Sequence, residues 1–510
     1  MSNTCLCLFF SNVLISNQNP SKSTDSFMVF SSITFLFFFL PFFLAVYMVS
    51  GKYKNIILLC TSLLFYTWGE GIYLLVMVSS ILVNYICGLF LAPKRKGVQG
   101  SWVPLLLGMI FNFGILAFFK YANFIVDNLN NLLSTISLPI INLTPVHLPI
   151  GISFFTFQAA SYLVDVYRGT VAPQKSLINL GIFISLFPQL IAGPIVRYHD
   201  IASTLVKRTV NSEDFAIGIR RFIWGLSKKV LLANPMALTA DKIFTLPLNE
   251  VTTPVAWLGA LCYTLHIYFD FSGYSDMAIG LGRMLGFKFL ENFNYPYIST
   301  SIQEFWRRWH ISLSSWFRDY LYIPLGGNRK GELRTYANLL AVFFLCGLWH
   351  GASWTFVCWG LFHGGFIILE RTKLGQMRER LWSPIQYIIT IVIVIIGWVL
   401  FRSETITGAF QYIGIMFGIT QGSTKDLFLL YFDNKLSLEF FIATLLCLPI
   451  FPTLVQLRGK IETKLNNTAA GICVVTFIEA TNLAAIIGLM YLTVISLAAG
   501  AYNPFIYFRF

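Results

Sequence analysis

Long apolar runs separated by short polar stretches set the rhythm of this chain from residue 29 onward. A helix rising ~1.5 Å per residue needs about 20 apolar residues to cross a hydrocarbon core ~30 Å thick. Runs near 29–49, 55–68, 71–92, 102–126, 148–167, 176–196, 215–233, 253–270, 336–349, 352–370, 383–402, 438–456 and 471–500 approach or reach that length. Several are too short to span alone. The pattern therefore predicts an all-α polytopic membrane protein with roughly 10–12 crossings plus re-entrant pieces.

The rhythm breaks between Arg283 and Arg334, where charges are mixed with aromatics. Phe305, Trp309, Trp316 and Tyr320 recur near helical spacing, with Arg307, Arg308 and Arg318 interleaved. That spacing predicts a helix lying at the membrane surface, rings at headgroup depth and guanidinium groups toward the cytosol. The turn residues of "IPLGGNRKG" should end it near Ile323.

A second irregularity is an excess of length. Leu339 to Leu369 is almost continuously apolar, ~31 residues that as one helix would run ~46 Å, too long for the core. Gly347 and Gly351 bracket the place to divide, because glycine weakens a helix interior and lets backbones approach. Segment 336–349 should then end inside the membrane and deliver His350 of "CGLWHGASW" to a cavity, the setting in which broken helices survive at that depth.

A polar side chain buried there points to function; the alternative is a neutral imidazole donating to a neighbouring carbonyl. His310 carries the same two readings, the second being a solvated residue in the headgroup region. His147, His199 and His363 are expected to make local structural hydrogen bonds. His266 and Asp270, four residues apart, share a helix face, and Asp276 follows an expected break at Gly273, so the three form a candidate polar network within the bundle.

Composition supports the membrane reading: 56% of residues are hydrophobic, 12% are charged, and the mean hydropathy is +0.69. A net charge of +13 could suggest nucleic acid. The basic residues, however, lie in short loops: "GKYK" (51–54), "PKRKG" (93–97) and the cluster Arg371, Lys373, Arg378 and Arg380. These read as cytoplasmic loops beside a lipid bilayer, and no nucleic-acid partner is expected. "WGEG" (68–71) and "DNLNNLL" (127–133) then fall on the opposite face. Nine cysteines without C-x-x-C spacing read as packing residues, with no metal site expected.

Residues 1–27 lack the basic start and cleavage site of a signal peptide. Met28 opens a complete membrane anchor, so translation is expected to begin there, leaving 1–27 as a non-functional extension and 28–510 as a single transmembrane domain. The chain has no nucleotide loop, no H-E-x-x-H and no serine-hydrolase elbow.

With these residues in hand the chain resembles the membrane-bound O-acyltransferase superfamily, and within it the bacterial alginate O-acetyltransferase membrane subunit group. The resemblance runs from Met28 to Phe510 through ordered blocks: "MVFSSITFLFFFLP", "PIGISFFTFQAASYLVDVYRG", "FPQLIAGPIVRY", "YFDFSGYSDMAIGLGRMLGF", "NFNYPYISTSIQEFWRRWHISLSSWFRDYLYIPLGGNR", "GLWHGASW" and "NPFIYFRF". It implies a ring of transmembrane helices, with re-entrant and interfacial helices, around a central tunnel. It implies that His350 is the catalytic residue and that His310 lies nearby in the active-site region.

The resemblance also implies transfer of acetyl groups from acetyl-CoA, a substrate and not a bound cofactor, in the bacterial cytoplasmic (inner) membrane. The acceptor would be an extracytoplasmic polysaccharide or an acyl-relay partner of SGNH type. A neutral imidazole, with an unperturbed pKa of ~6.5, suits a general base near pH 7. His350 is accordingly expected to activate the acceptor hydroxyl, and His310 to orient the donor or stabilise developing charge.

Arg307 and Arg308 could hold donor phosphates or serve only as cytoplasmic anchors. Trp309 and Trp349 could line the tunnel or sit at an interface. The rival readings are an acyltransferase acting on teichoic acid, peptidoglycan or a lipid, a transporter, which should show repeat symmetry, and a noncatalytic export scaffold.

Overall fold

A computed structural model describes residues 28–91, 101–420, 427–464, 468–500 and 502–504. The expectations for residues 1–27, for the basic loop at 93–97 and for the last residues of "NPFIYFRF" lie outside the described residues. Every regular element among the described residues is helical, as apolar surroundings demand of a backbone that must satisfy its own hydrogen bonds.

The chain packs as two compact units, one formed by the chain up to Asn112 with Pro149–Leu190, the other by Phe113–Leu148 with Ile191–Phe510. The first contains α1 (Lys54–Glu70), α2 (Leu74–Phe90), the start of α3 (Trp102–Thr135), α4 (Ile152–Tyr167) and α5 (Leu177–Ser185). Its core includes a cluster of phenylalanine rings, with Phe30 and Phe35 at 4.9 Å and Phe65 and Phe187 at 5.4 Å. Asn84 and Asn112 exchange amide hydrogen bonds of 2.9 and 2.7 Å. Glu70, expected in a polar loop, is buried and accepts the Ile150 amide at 2.8 Å. The run at 176–196 does not form one helix: α5 stops at Ser185, Leu186 leaves the helical region at ψ 109°, and a single helical turn follows at Phe187–Leu190.

The second unit is organised around α7 (Thr253–Met284), buried on nearly all sides, with α6 (Ser212–Ser227) running antiparallel along it. Gly218 and Gly225 of α6 face Gly280 and Gly273 of α7. A Cβ at Gly225 would lie 2.5 Å from the Gly273 carbonyl, and one at Gly280 would lie 2.6 Å from the Gly218 carbonyl. The expected break at Gly273 is therefore absent. That glycine sits inside a continuous helix and is required by the close approach of its neighbour.

The remaining helices that matter are α8 (Ile302–Arg308), α9 (Ile311–Phe317), α10 (Glu332–His350), α11 (Trp354–Leu369), α12 (Ser383–Arg402), α13 (Asn434–Leu446), α14 (Ile450–Lys464) and α15 (Ala469–Ala498). Among the described residues four stretches are long and apolar enough to cross a bilayer: Gly51–Phe90, Trp102–Thr135, Ser383–Arg402 and Gly471–Ala498. The pair α13 and α14, bent by 58°, makes up to five. Other runs counted in the sequence fold as shorter apolar helices, such as α11, or as helices with buried charges, such as α7.

The long run at 339–369 divides where expected: α10 ends at His350, Gly351 is extended, and α11 begins at Trp354. Its two halves pack backbone to backbone. A Cβ at Gly347 would lie 2.3 Å from the Phe356 carbonyl oxygen, and one at Gly360 would lie 2.2 Å from that of Phe343. Backbone cannot swing aside as a side-chain tip can, so Gly360→Ala should cost about 1–3 kcal/mol. Thermal unfolding of the detergent-solubilised protein checks this; an unchanged Tm would mean that the two helices can separate without penalty.

Candidate active site

A helix leaves its last four carbonyls without intrahelical partners, and at the end of α10 each of them is taken. Gly351 N–H donates to the Gly347 carbonyl at 3.3 Å, and the Tyr121 hydroxyl donates to that of Leu348 at 2.7 Å. The Lys120 ammonium donates to the carbonyl of Trp349 and, at 3.3 Å, to that of His350. Two adjacent residues of α3 thus finish a helix that stops in the interior, and the lysine charge complements the negative end of its dipole. Sequence reasoning passed over both. The available signal was a lone lysine inside an apolar run, "AFFKYANF".

This ending buries His350 against Trp349, Trp359 and Phe401, with ring centroids at 4.9, 5.0 and 5.2 Å. Trp349 also borders His310 at 6.2 Å. The structure therefore brings both histidines to one indole.

His310 arrives by a different route from the surface helix expected. The chain forms two short helices, α8 and α9, and His310 stands between them in the left-handed region at φ 43° and ψ 55°. Asn294 N–H donates to the Arg308 carbonyl and Ile311 N–H to the Asn292 carbonyl, both at 2.9 Å, so the segment before α8 clamps the break. A non-glycine residue in this conformation costs of order 1–3 kcal/mol and persists where its surroundings over-determine it. The break turns the ring inward, fully buried and 4.6 Å from Phe271. Phe305, Trp309 and Trp316 are likewise buried. The helical stretch does end at Ile323.

The start of α8 is held by acceptors. Ser301 Oγ accepts the Glu304 amide at 2.9 Å, and the Glu370 carboxylate accepts those of Ile302 and Gln303 at 2.7 and 2.9 Å. Arg378, read from sequence as part of a basic loop, pairs with Glu370 at 3.2 Å and so braces α8. Arg308 pairs with Glu304 at 2.9 Å and donates to the Asn294 carbonyl at 3.1 Å. Arg307 is exposed and makes neither an ion pair nor a hydrogen bond among the described residues, so it is the one of the two with its guanidinium open to an anionic ligand.

Trp309 packs with Trp398 at 4.8 Å and Phe293 at 5.0 Å. Beyond α9, burial raises the Asp319 carboxyl, but Arg318 at 2.7 Å and Arg197 at 2.5 Å outweigh it and hold it below its ordinary value.

The three polar residues of α7 do not pair with one another in a single network: the two aspartates go to basic residues of α6 and of the segment after it. Asp270 pairs with Lys229 at 2.6 Å, both side chains fully buried. Asp276 pairs with Lys228 at 2.7 Å and Arg221 at 2.6 Å, while the His266 ring lies 5.8 Å from that of Tyr263. His363 does not make the local hydrogen bond expected of it: neither ring nitrogen has a partner among the described residues. It packs as an aromatic ring against Trp306 and Trp359 at 5.3 and 5.2 Å. His199 lies 3.3 Å from the Asp200 carboxylate.

Comparison with known proteins places this arrangement in context. The family model described as MBOAT, membrane-bound O-acyltransferase family, matches residues 173–409, which include both histidines. A probable alginate O-acetylase of Pseudomonas putida is 42% identical over 493 residues, covering 95% of this chain and 100% of the relative. A peptidoglycan O-acetyltransferase of Helicobacter pylori is 35% identical over 431 residues, covering 77% and 80%. A teichoic acid D-alanyltransferase of Bacillus subtilis is 30% identical over 264 residues, covering 48% and 65%.

Proposed function

Because the chain belongs to the membrane-bound O-acyltransferase family, we propose that it carries acetyl groups from cytoplasmic acetyl-CoA to hydroxyls of an extracytoplasmic polysaccharide, directly or through a relay protein. The observation that carries this reading is the delivery of His350 to the buried end of a broken helix, with His310 across Trp349. The alginate O-acetylase relatives, matched along nearly all of the chain, support polysaccharide over peptidoglycan and teichoic acid as the acceptor class. The reading places the protein in the bacterial cytoplasmic membrane.

In the transfer, the acceptor oxygen attacks the thioester carbonyl, a C–O bond forms and the C–S bond breaks. His350 takes the hydroxyl proton and returns it to the departing sulfur, leaving the free thiol of coenzyme A. Arg307 is the residue with a guanidinium available for donor phosphates, and Trp349 and Trp309 provide aromatic walls near the two histidines.

The test supplies acetyl-labelled acetyl-CoA to the cytoplasmic face of membranes holding the protein and follows the label. Label in secreted polysaccharide is the expected result. Label in peptidoglycan, teichoic acid or lipid would replace the acceptor assignment, and no transfer from acetyl-CoA to any of them would remove the donor assignment.

A further inference from the structure

His310 stands in a hydrogen-bonded chain whose proton positions are determined by its least ambiguous member. Asn292 Oδ1 lies 3.0 Å from His310 Nδ1, 3.2 Å from the backbone nitrogen of Ser312 and 2.9 Å from Ser312 Oγ. A backbone N–H can only donate, so the Asn292 atom facing it is the oxygen and the amide orientation is settled. Two further contacts agree. Asn292 Nδ2 donates to Ser275 Oγ at 3.0 Å, and Ser312 Oγ accepts the Ile195 amide at 2.9 Å, which leaves its own hydrogen for Asn292. All four side chains are buried to within 1%.

An unprotonated Nδ1 would put two lone pairs face to face at 3.0 Å. The hydrogen therefore sits on Nδ1, and in the neutral ring Nε2 carries none. Nε2 is buried and has no hydrogen-bond partner among the described residues, so none of them uses its lone pair.

We propose that Asn292 is a positioning residue that fixes His310 as the Nδ1–H tautomer and presents Nε2 as a hydrogen-bond acceptor to a substrate group bearing hydrogen. The inference rests on reading His310 as part of the transfer site. It sharpens the role open to this histidine: a neutral ring in this tautomer cannot donate to a developing oxyanion, whereas it can orient an acceptor hydroxyl or a donor amide N–H. Ser275 and Ser312 hold Asn292 in turn, and the left-handed backbone at His310 brings Nδ1 to it.

The test uses full-length protein labelled with 15N-histidine in nanodiscs, with His310→Gln assigning the His310 resonances. Wild type should show a protonated Nδ1 and an unprotonated Nε2. Asn292→Asp keeps an acceptor at this position and should retain both the tautomer and most of the activity. Asn292→Leu should lose the single tautomer and lower kcat about 10–100-fold, the scale set by partners that orient an imidazole, with protein level maintained.

A wild-type ring protonated at Nε2, or an Asn292→Leu protein unchanged in both tautomer and kcat, would overturn the proposal. If the tautomer is as stated but His310→Gln transfers acetyl at the wild-type rate, the place of His310 in the reaction falls while its bond to Asn292 stands.

Discussion

Replacing His350 by alanine lowers acetyl transfer by roughly 10²–10⁴-fold, the contribution of a positioned general base, while the protein still accumulates in the membrane. The expectation follows from how much structure is spent on this imidazole: a helix is ended in the interior and its carbonyls are satisfied from another helix. The ring also packs against three aromatic side chains, so alanine leaves a cavity. His350→Gln, which preserves more volume, separates lost chemistry from lost packing. Initial rates of label transfer at matched protein amounts give the answer. A glutamine variant as active as wild type would return His350 to a structural role and end its assignment as base.

Lys120→Met gives the second large effect, expected in both stability and rate. Methionine keeps most of the apolar stem but leaves the Trp349 and His350 carbonyls, held by the ammonium, without it. Each buried polar group left unsatisfied costs about 1–3 kcal/mol. The end of α10 should then loosen, and a displacement of ~1 Å at a reacting group is enough for roughly a 10²-fold loss in kcat. Tyr121→Phe removes one donor, that to the Leu348 carbonyl, and should cost about 1 kcal/mol with a smaller loss of rate. Circular-dichroism melts and kcat for both variants test the pair. A Lys120→Met protein with wild-type Tm and kcat would show that the helix end is held by other contacts.

The break in the 339–369 run was readable because its evidence is one-dimensional. An apolar stretch too long for the bilayer must divide, and glycines mark where. The same kind of evidence placed the end of the aromatic-rich segment at Ile323, through turn residues, and singled out His350, a polar residue in an apolar run. The single helix expected through Phe305, Trp309, Trp316 and Tyr320 breaks at His310 instead, for a related reason. Helical spacing of aromatics says which residues share a face and nothing about what that face meets. Here it meets other aromatic rings, and the left-handed residue that redirects it is a histidine, without the glycine that would have signalled the turn.

The polar residues of α7 show the same limit. His266 and Asp270 at i and i+4 were natural partners within one helix, but Asp270 goes to Lys229, on a segment 41 positions earlier in the chain. Gly273 looked like a helix breaker and instead lets α6 approach.

From the sequence alone came the membrane class, the helical fold, the division of α10 from α11 and the placing of His350 at that division, each written in local pattern: run length, charge placement, glycine spacing and a polar residue out of place; His310 came from the family resemblance. Only the tertiary structure decided that Lys120 and Tyr121 close the helix bearing His350 and that Asn292 holds the ring of His310. The physical reason is that a buried polar group must find a partner wherever packing brings one within ~3 Å. Partners so distant along the chain share no period that the sequence could display.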